Sequence, residues 1–336
     1  MKWSNINILG TGVYQPDHMV GNDFYLNIFK DISDQLKIAF EKTGKLQRGI
    51  INNEHENALT MAIEATYNVL KSTGISSEEI DMIVFTSDTP EYLSPSNALI
   101  ISHIIGAKNA HITYDINANC LGMLVALDQV SSVMKSKKNI RYTLVVSGIY
   151  ASSISREDCL VTYPMVGDVA TAVILEKREE DKARGFLDAK YRIFSQYYEN
   201  SLSPACGMTK ARKDSVTEYD RKIRWVPFDM NFCPDIWGEM VKAFAKEYDF
   251  SIEEVEYFFL SQLTKGYGKK LAEKLDVENY EEKIPYVGDV YGYTGATSPI
   301  LALHHMLQQG TIKTGSIAIF ASVGTGLILG ANLYKF

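Results

Sequence analysis

Short apolar runs and longer amphipathic stretches take turns along this chain. Ile80-Asp-Met-Ile-Val-Phe-Thr86, Tyr142-Thr-Leu-Val-Val-Ser-Gly148 and Ala170-Thr-Ala-Val-Ile-Leu-Glu176 are rich in β-branched and aromatic residues and predict buried strands. Ala58 to Ser72 and Ser96 to Ile105 carry apolar residues at helical spacing and predict helices. Gly74-Ile-Ser-Ser-Glu-Glu79 caps the approach to the Ile80 strand, and a further short strand is expected to end at Asp115. The opening Ile6-Asn-Ile-Leu-Gly-Thr-Gly-Val-Tyr-Gln-Pro16 reads as a strand running into a Gly/Pro turn, followed by a charged amphipathic stretch to about Thr43. Gly10-x-Gly12 lacks a third glycine at dinucleotide-binding spacing and is read as part of that turn.

The second half repeats the first. Ser77-Glu-Glu-Ile-Asp-Met-Ile-Val-Phe-Thr86 matches Ile252-Glu-Glu-Val-Glu-Tyr-Phe-Phe-Leu-Ser261 at an offset of 175 residues, and the same offset carries Leu144-Val-Val-Ser147 onto Ile319-Phe-Ala-Ser322. Each is followed by a glycine-containing loop and another apolar strand, Ala170 to Leu175 and Leu327 to Leu333. Two matches at one offset predict an α/β protein of two similarly built halves, 1–178 and 179–336, each alternating strand and helix around a mixed sheet. A site in such a chain belongs where the halves meet, at strand ends and helix N-termini.

One stretch supplies a candidate for that place. Asp115-Ile-Asn-Ala-Asn-Cys120 is a polar, turn-compatible run, and Leu121 to Val130 continues it as an apolar segment long enough for a buried helix. Cys120 is therefore expected at a helix N-terminus, where free N–H groups and the helix dipole stabilise a thiolate, the form that attacks carbonyls. The competing reading is a small core residue, since free cysteine is often buried.

Composition removes several other classes. With 46% hydrophobic and 22% charged residues over 336 positions, the chain is of ordinary globular type, and no window of about 18 apolar residues predicts a membrane span. Met1-Lys-Trp-Ser-Asn-Ile-Asn-Ile-Leu9 reads as a strand start rather than a signal peptide. Cys120, Cys159, Cys206 and Cys233 are scattered without C-x-x-C spacing, so neither zinc nor a disulfide framework is expected, and a reducing cytoplasm fits. A net charge of −7 argues against a nucleic-acid binder.

Gly10-Thr-Gly-Val-Tyr-Gln-Pro16, Lys42-Thr-Gly44, Thr86-Ser-Asp-Thr-Pro90, Asp115-Ile-Asn-Ala-Asn-Cys120-Leu-Gly122, Val166-Gly-Asp-Val-Ala170 and Ser322-Val-Gly-Thr-Gly326 together resemble the ordered landmarks of ketoacyl-acyl carrier protein synthase III. The resemblance runs from Ile6 to Phe336 and rests on the set and its order. It implies a thiolase-like fold, with two mixed five-stranded sheets and helices layered between them, and a homodimer. It also implies that Cys120 accepts an acyl group from coenzyme A or a carrier protein, with the Cys120 N–H and the Gly324-Thr325 loop as oxyanion hole. No permanently bound cofactor or metal is expected.

The departures are equally informative. Where the family has the histidine of His-Gln-x-Asn, this chain has Ser261 in Ser261-Gln-Leu-Thr264; where it has the asparagine of Gly-Asn-Thr-Ser, this chain has Tyr293 in Gly292-Tyr-Thr-Gly295. By resemblance those two residues hold the malonyl thioester carbonyl as its carboxylate leaves. Losing one such donor costs about 2.7–4 kcal/mol, so losing both is expected nearly to abolish decarboxylative condensation. Serine and tyrosine hydroxyls donate hydrogen bonds but carry no positive charge.

His18, His55, His103, His111, His304 and His305 read as solvated, Asp289 as the one carboxylate able to approach the site, and Asp168 as a turn residue. Lys210, Arg212, Lys213, Arg221, Lys222 and Arg224 form a cationic cluster that the resemblance sets near the acyl channel. Arg48, Lys210, Arg212, Lys213 and Lys265 are the expected contacts for coenzyme A or a carrier protein. Lys269 and Lys270 extend that surface, and Ser195 to Trp225 is expected to shape an acyl pocket. Three readings follow: an acyltransferase loading Cys120, a ketoacyl synthase using Ser261 and Tyr293, or a degenerate subunit supporting a complete homologue in a heterodimer. The apolar Cys120 helix and its adjoining strand are expected at a dimer interface above about 2,000 Å².

Overall fold

The computed structural model describes residues 2–336; Met1, the first residue of the expected strand start, lies outside them. Nine strands form the frame: β1 Trp3–Tyr14, β2 Ile80–Thr86, β3 Ile112–Ile116, β4 Tyr142–Ile149, β5 Val169–Glu180, β6 Gly185–Ile193, β7 Val255–Leu260, β8 Ile317–Gly324 and β9 Ile328–Lys335. Their order is β7-β8-β9-β6-β1-β5-β4-β2-β3. Within the first half β1 and β4 run antiparallel to β5, and β2 lies parallel to both β4 and β3. The second half repeats the scheme, with β6 and β8 antiparallel to β9 and β7 parallel to β8. The two parts join through one register pair, Ile6 with Gly185.

Six helices packed on this frame complete five layers: α1 Ala58–Thr73, α2 Asn97–Ile104, α3 Gly122–Ser136, α4 Cys233–Tyr248, α5 Lys265–Leu275 and α6 Ser298–Gln308. Helix α1 begins in a reciprocal cap, with the Asn57 side chain accepting from Leu59 N and Thr60 N while Thr60 Oγ1 accepts from Asn57 N. It ends at Gly74 in the left-handed conformation. Helix α4 lies at the same 175-residue offset from α1 at both ends. Helices α1 and α2 cover the outer face of the first half, and α4 and α5 that of the second. Helices α3 and α6 lie in the middle layer, where Leu124, Leu127, Ile300 and Leu303 pack against strands of both halves.

Three expectations change. Gly10 and Gly12 lie inside β1 rather than in a turn, because α1 presses on them: a Cβ at Gly12 would sit 2.2 Å from Ala65 O, and one at Gly10 2.4 Å from Thr73 Cγ2. The second half contributes four strands rather than five, and residues 287–291, offset from β3, include the short helix Gly288–Tyr291. The Cys120 helix is apolar because it is the protomer's own centre, so of the expected interface elements only β3 lies at a sheet edge.

Candidate active site

Cys120 stands where the two halves meet. After β3 the chain turns through Asn117, whose Oδ1 accepts from Asn119 N at 2.9 Å, and Asn119 takes φ of 53°, a left-handed conformation that asparagine tolerates best among side-chain-bearing residues. A single 3₁₀ turn, Asn119–Leu121, then presents Cys120 and leads into α3. Gly122 permits close approach to β2, since a Cβ there would lie 2.2 Å from Thr86 Oγ1. The second half fixes this turn: Ser322 Oγ donates to Cys120 O and Asn332 Nδ2 to Leu124 O, each at 2.9 Å.

A cavity of about 370 Å³ opens on the sulfur. Its polar lining includes Asp88, Cys120 and Tyr293, and its apolar wall includes Ile149, Ile154, Val161, Leu202, Ile223 and Trp225. Thr325 and Gly326 also line it, while Gly324 and Thr325 share a small adjoining recess with Cys120. Tyr293 is held by its backbone, with its N–H donating to Met165 O at 2.8 Å and its carbonyl accepting from Gly167 N at 3.0 Å. Gly295 leaves room opposite the cysteine, where a Cβ would stand 3.8 Å from both Cys120 Sγ and Asp88 Oδ2. Ser261, just past β7, is 2% exposed; its hydroxyl has no hydrogen-bond partner, yet it lies near enough to the Tyr293 phenol to favour that group's ionisation.

The electrostatics correct one expectation. Burial pushes the Cys120 thiol well above its ordinary value, the Asp88 charge adds to this, and a Tyr293 hydrogen bond opposes it only in part. These surroundings favour the thiol over the thiolate expected from a helix start. Its Sγ donates to Asp88 Oδ2 at 3.5 Å, and Asp88 Oδ1 is buried without a partner. Burial raises the Asp88 carboxyl to about 6, against a lowering hydrogen bond from Cys120. Burial and the neighbouring thiol push the Tyr293 phenol well up.

The structure brings together Cys120, Tyr293, Ser261 and the Gly324-Thr325 loop, but not the expected cations. Arg48 is 0% exposed and cannot meet coenzyme A: its guanidinium donates to Val20 O, Asn22 Oδ1 and Pro164 O and lies over the Tyr25 and Phe40 rings. Lys265 lines a separate recess and pairs with Glu281 at 3.6 Å. Lys210, Arg212 and Lys213 are exposed on the excursion between the short strands Ser201–Leu202 and Arg224–Trp225, whose residues line the cavity. Asp289 bears on the buried Lys45 and Tyr286 instead of the sulfur. Asp168 is a buried clasp, accepting from Ile51 N, Ser152 N and Ser152 Oγ. His304, read as solvated, is half-buried, with Nδ1 2.8 Å from Thr11 Oγ1. The place of Asp88 beside the sulfur was not anticipated; the available signal was an acidic residue two positions beyond β2, a largely apolar strand.

Two halves of one design, a middle helical layer and a cysteine turn between them define a thiolase-fold protein. Sequence comparison agrees: residues 114–193 match the family described as 3-oxoacyl-[acyl-carrier-protein] synthase III, and residues 245–336 match its C-terminal part. The chain belongs to this family of condensing acyltransferases. Beta-ketoacyl-[acyl-carrier-protein] synthase III of Clostridium botulinum (strain 657 / Type Ba4) is 28% identical over 332 residues, 97% of either chain. The structure of 3-oxoacyl-[acyl-carrier-protein] synthase III from Aquifex aeolicus VF5 superposes with a TM-score of 0.85 at 26% identity, covering 99% of this chain and 100% of the other. The enzyme from Pseudomonas aeruginosa PAO1 reaches 0.86 at 20% identity over 99% and 98%, a likeness of fold.

Proposed function

We propose that this chain takes an acyl group from a coenzyme A or carrier-protein thioester onto Cys120 and passes it to an amine, hydroxyl or thiol without decarboxylation. The observation that carries this reading is the make-up of the Cys120 cavity. It has an apolar wall suited to an acyl chain and one carboxylate, Asp88; no lysine, arginine or histidine lines it among the described residues. A malonyl donor would bring a second carboxylate toward Asp88 with no cation to offset the repulsion, whereas a neutral or cationic acceptor meets no such penalty. Backbone N–H groups at Cys120 and in the Gly324-Thr325 loop are the proposed oxyanion hole. Ser261 and Tyr293 are proposed to hold the thioester through their hydroxyls. Lys210, Arg212 and Lys213 are proposed to receive the phosphates of the donor or an acidic carrier.

The test is to load the protein with a labelled acyl-coenzyme A, remove excess donor, and offer malonyl-coenzyme A, an alkylamine, an alcohol or a thiol in parallel. The reading predicts loss of label from Cys120 to a non-malonyl acceptor and little ketoacyl product. Robust ketoacyl product would return the chain to ordinary condensation.

A further inference from the structure

We propose that Asp88 is the proton acceptor for Cys120, its carboxylate taking the thiol proton as sulfur attacks the acyl donor. The proposal rests on the acyl-transfer reading. The thiol already donates to Asp88 Oδ2 at 3.5 Å, so transfer needs one existing hydrogen bond and no rearrangement.

The way Asp88 is held distinguishes it from the structural carboxylates. Asp168 accepts three hydrogen bonds, and Asp115 likewise accepts from Asn97 N, Asn97 Nδ2 and Ala98 N. Asp88 has the cysteine on one oxygen and nothing on the other, which is buried. Leaving a buried carboxylate oxygen unpaired costs stability and serves no packing purpose, so the arrangement is accounted for by what the carboxylate does to the sulfur. The titratable groups facing it are the Cys120 thiol from the turn before α3 and the Tyr293 phenol from the loop before α6. No salt bridge ties it down among the described residues, and burial leaves its basicity near neutrality, the useful range for a general base.

The step balances. The Cys120 S–H proton moves to Asp88 as the S–C bond forms; the donor's C–S bond then breaks, and its thiolate recovers the proton from Asp88. In the second half the acceptor O–H, N–H or S–H gives its proton to Asp88 as it attacks, and the Cys120 thiolate leaves and takes that proton back.

The experiment measures the rate of acyl-Cys120 formation by intact mass, and separately the rate of iodoacetamide alkylation at Cys120, from pH 5 to 9. It compares the unmodified protein with Asp88→Asn, Asp88→Ser and Asp88→Glu. Acylation of the unmodified protein should rise through an inflection near pH 6, where Asp88 ionises. Asp88→Asn and Asp88→Ser should acylate about 100-fold more slowly at pH 7, and Asp88→Glu should recover part of the loss. Alkylation should move the other way in the Asn and Ser variants, reaching a given rate at lower pH, because removing the negative charge eases thiol ionisation. A merely structural residue would move both reactions in the same direction, and that result overturns the proposal. Asp88→Asn acylating at the unmodified rate with an unchanged pH profile overturns the role of Asp88 while leaving Cys120 loading intact. Absence of acylation in every protein, with Cys120 still alkylated, overturns the loading reading and this proposal with it.

Discussion

Lys45 shows how far a residue's role can lie from its place in the sequence. Its side chain is 1% exposed, its ammonium donates to Gln262 O beside Ser261, and it lies 5.3 Å from the Tyr286 ring centroid. Burial, with the Arg48 charge adding to it, lowers its pKa to about 7, against about 10.4 in the unfolded chain. Between those values the unfolded chain holds more protons, so the cost of burying the charge is fully present below pH 7 and is relieved as pH rises. Lys45→Met removes that titration. Urea unfolding should show the free-energy gap between Lys45→Met and the unmodified protein narrowing in the mutant's disfavour from pH 7 to 9.5, by up to about 1.4 kcal/mol per unit; parallel curves would refute it. Cys120 was legible because a lone cysteine ends a polar run and opens an apolar one. The Arg48 assignment failed because charge in a sequence does not report that three oxygens and two rings already hold a guanidinium inside the protein. Asp88 was missed because its role depends on a contact across 32 residues.

Strands and helices were largely readable, since β2, β4 and the Val169–Leu175 part of β5 are near-continuous apolar runs of the kind that a doubly covered sheet requires. What periodicity could not show was which elements approach closely. The paired glycines of β1 lie under α1, so Gly12→Ala should push that helix from the sheet and cost about 1–3 kcal/mol in urea unfolding. Gly21→Ala is the control, because a Cβ there meets nothing within 4 Å. Equal stabilities for the two variants would contradict the packing argument. The absent fifth strand of the second half was hidden for a similar reason: Gln262 Oε1 accepts from Val287 N and Gly288 N, so a side chain serves backbone donors there in place of a ladder.

At the scale of the molecule, the 175-residue repeat was visible because both halves solve one packing problem, and the site is their joint product: Asp88 and Cys120 come from one, Ser261, Tyr293 and Thr325 from the other. Assembly goes one step further. The edge strand β3 is open, and Leu99 and Ile104 on the adjoining α2 are about half exposed; we propose that a second copy pairs there. Native mass spectrometry after incubation with an acyl-coenzyme A reads assembly and loading together and bears most directly on the central claim. The account predicts a dimer carrying one acyl group per chain, mapped to Cys120 and absent from Cys120→Ala. An unmodified protein that gains no acyl mass from several donors, or an adduct that persists in Cys120→Ala, would contradict it.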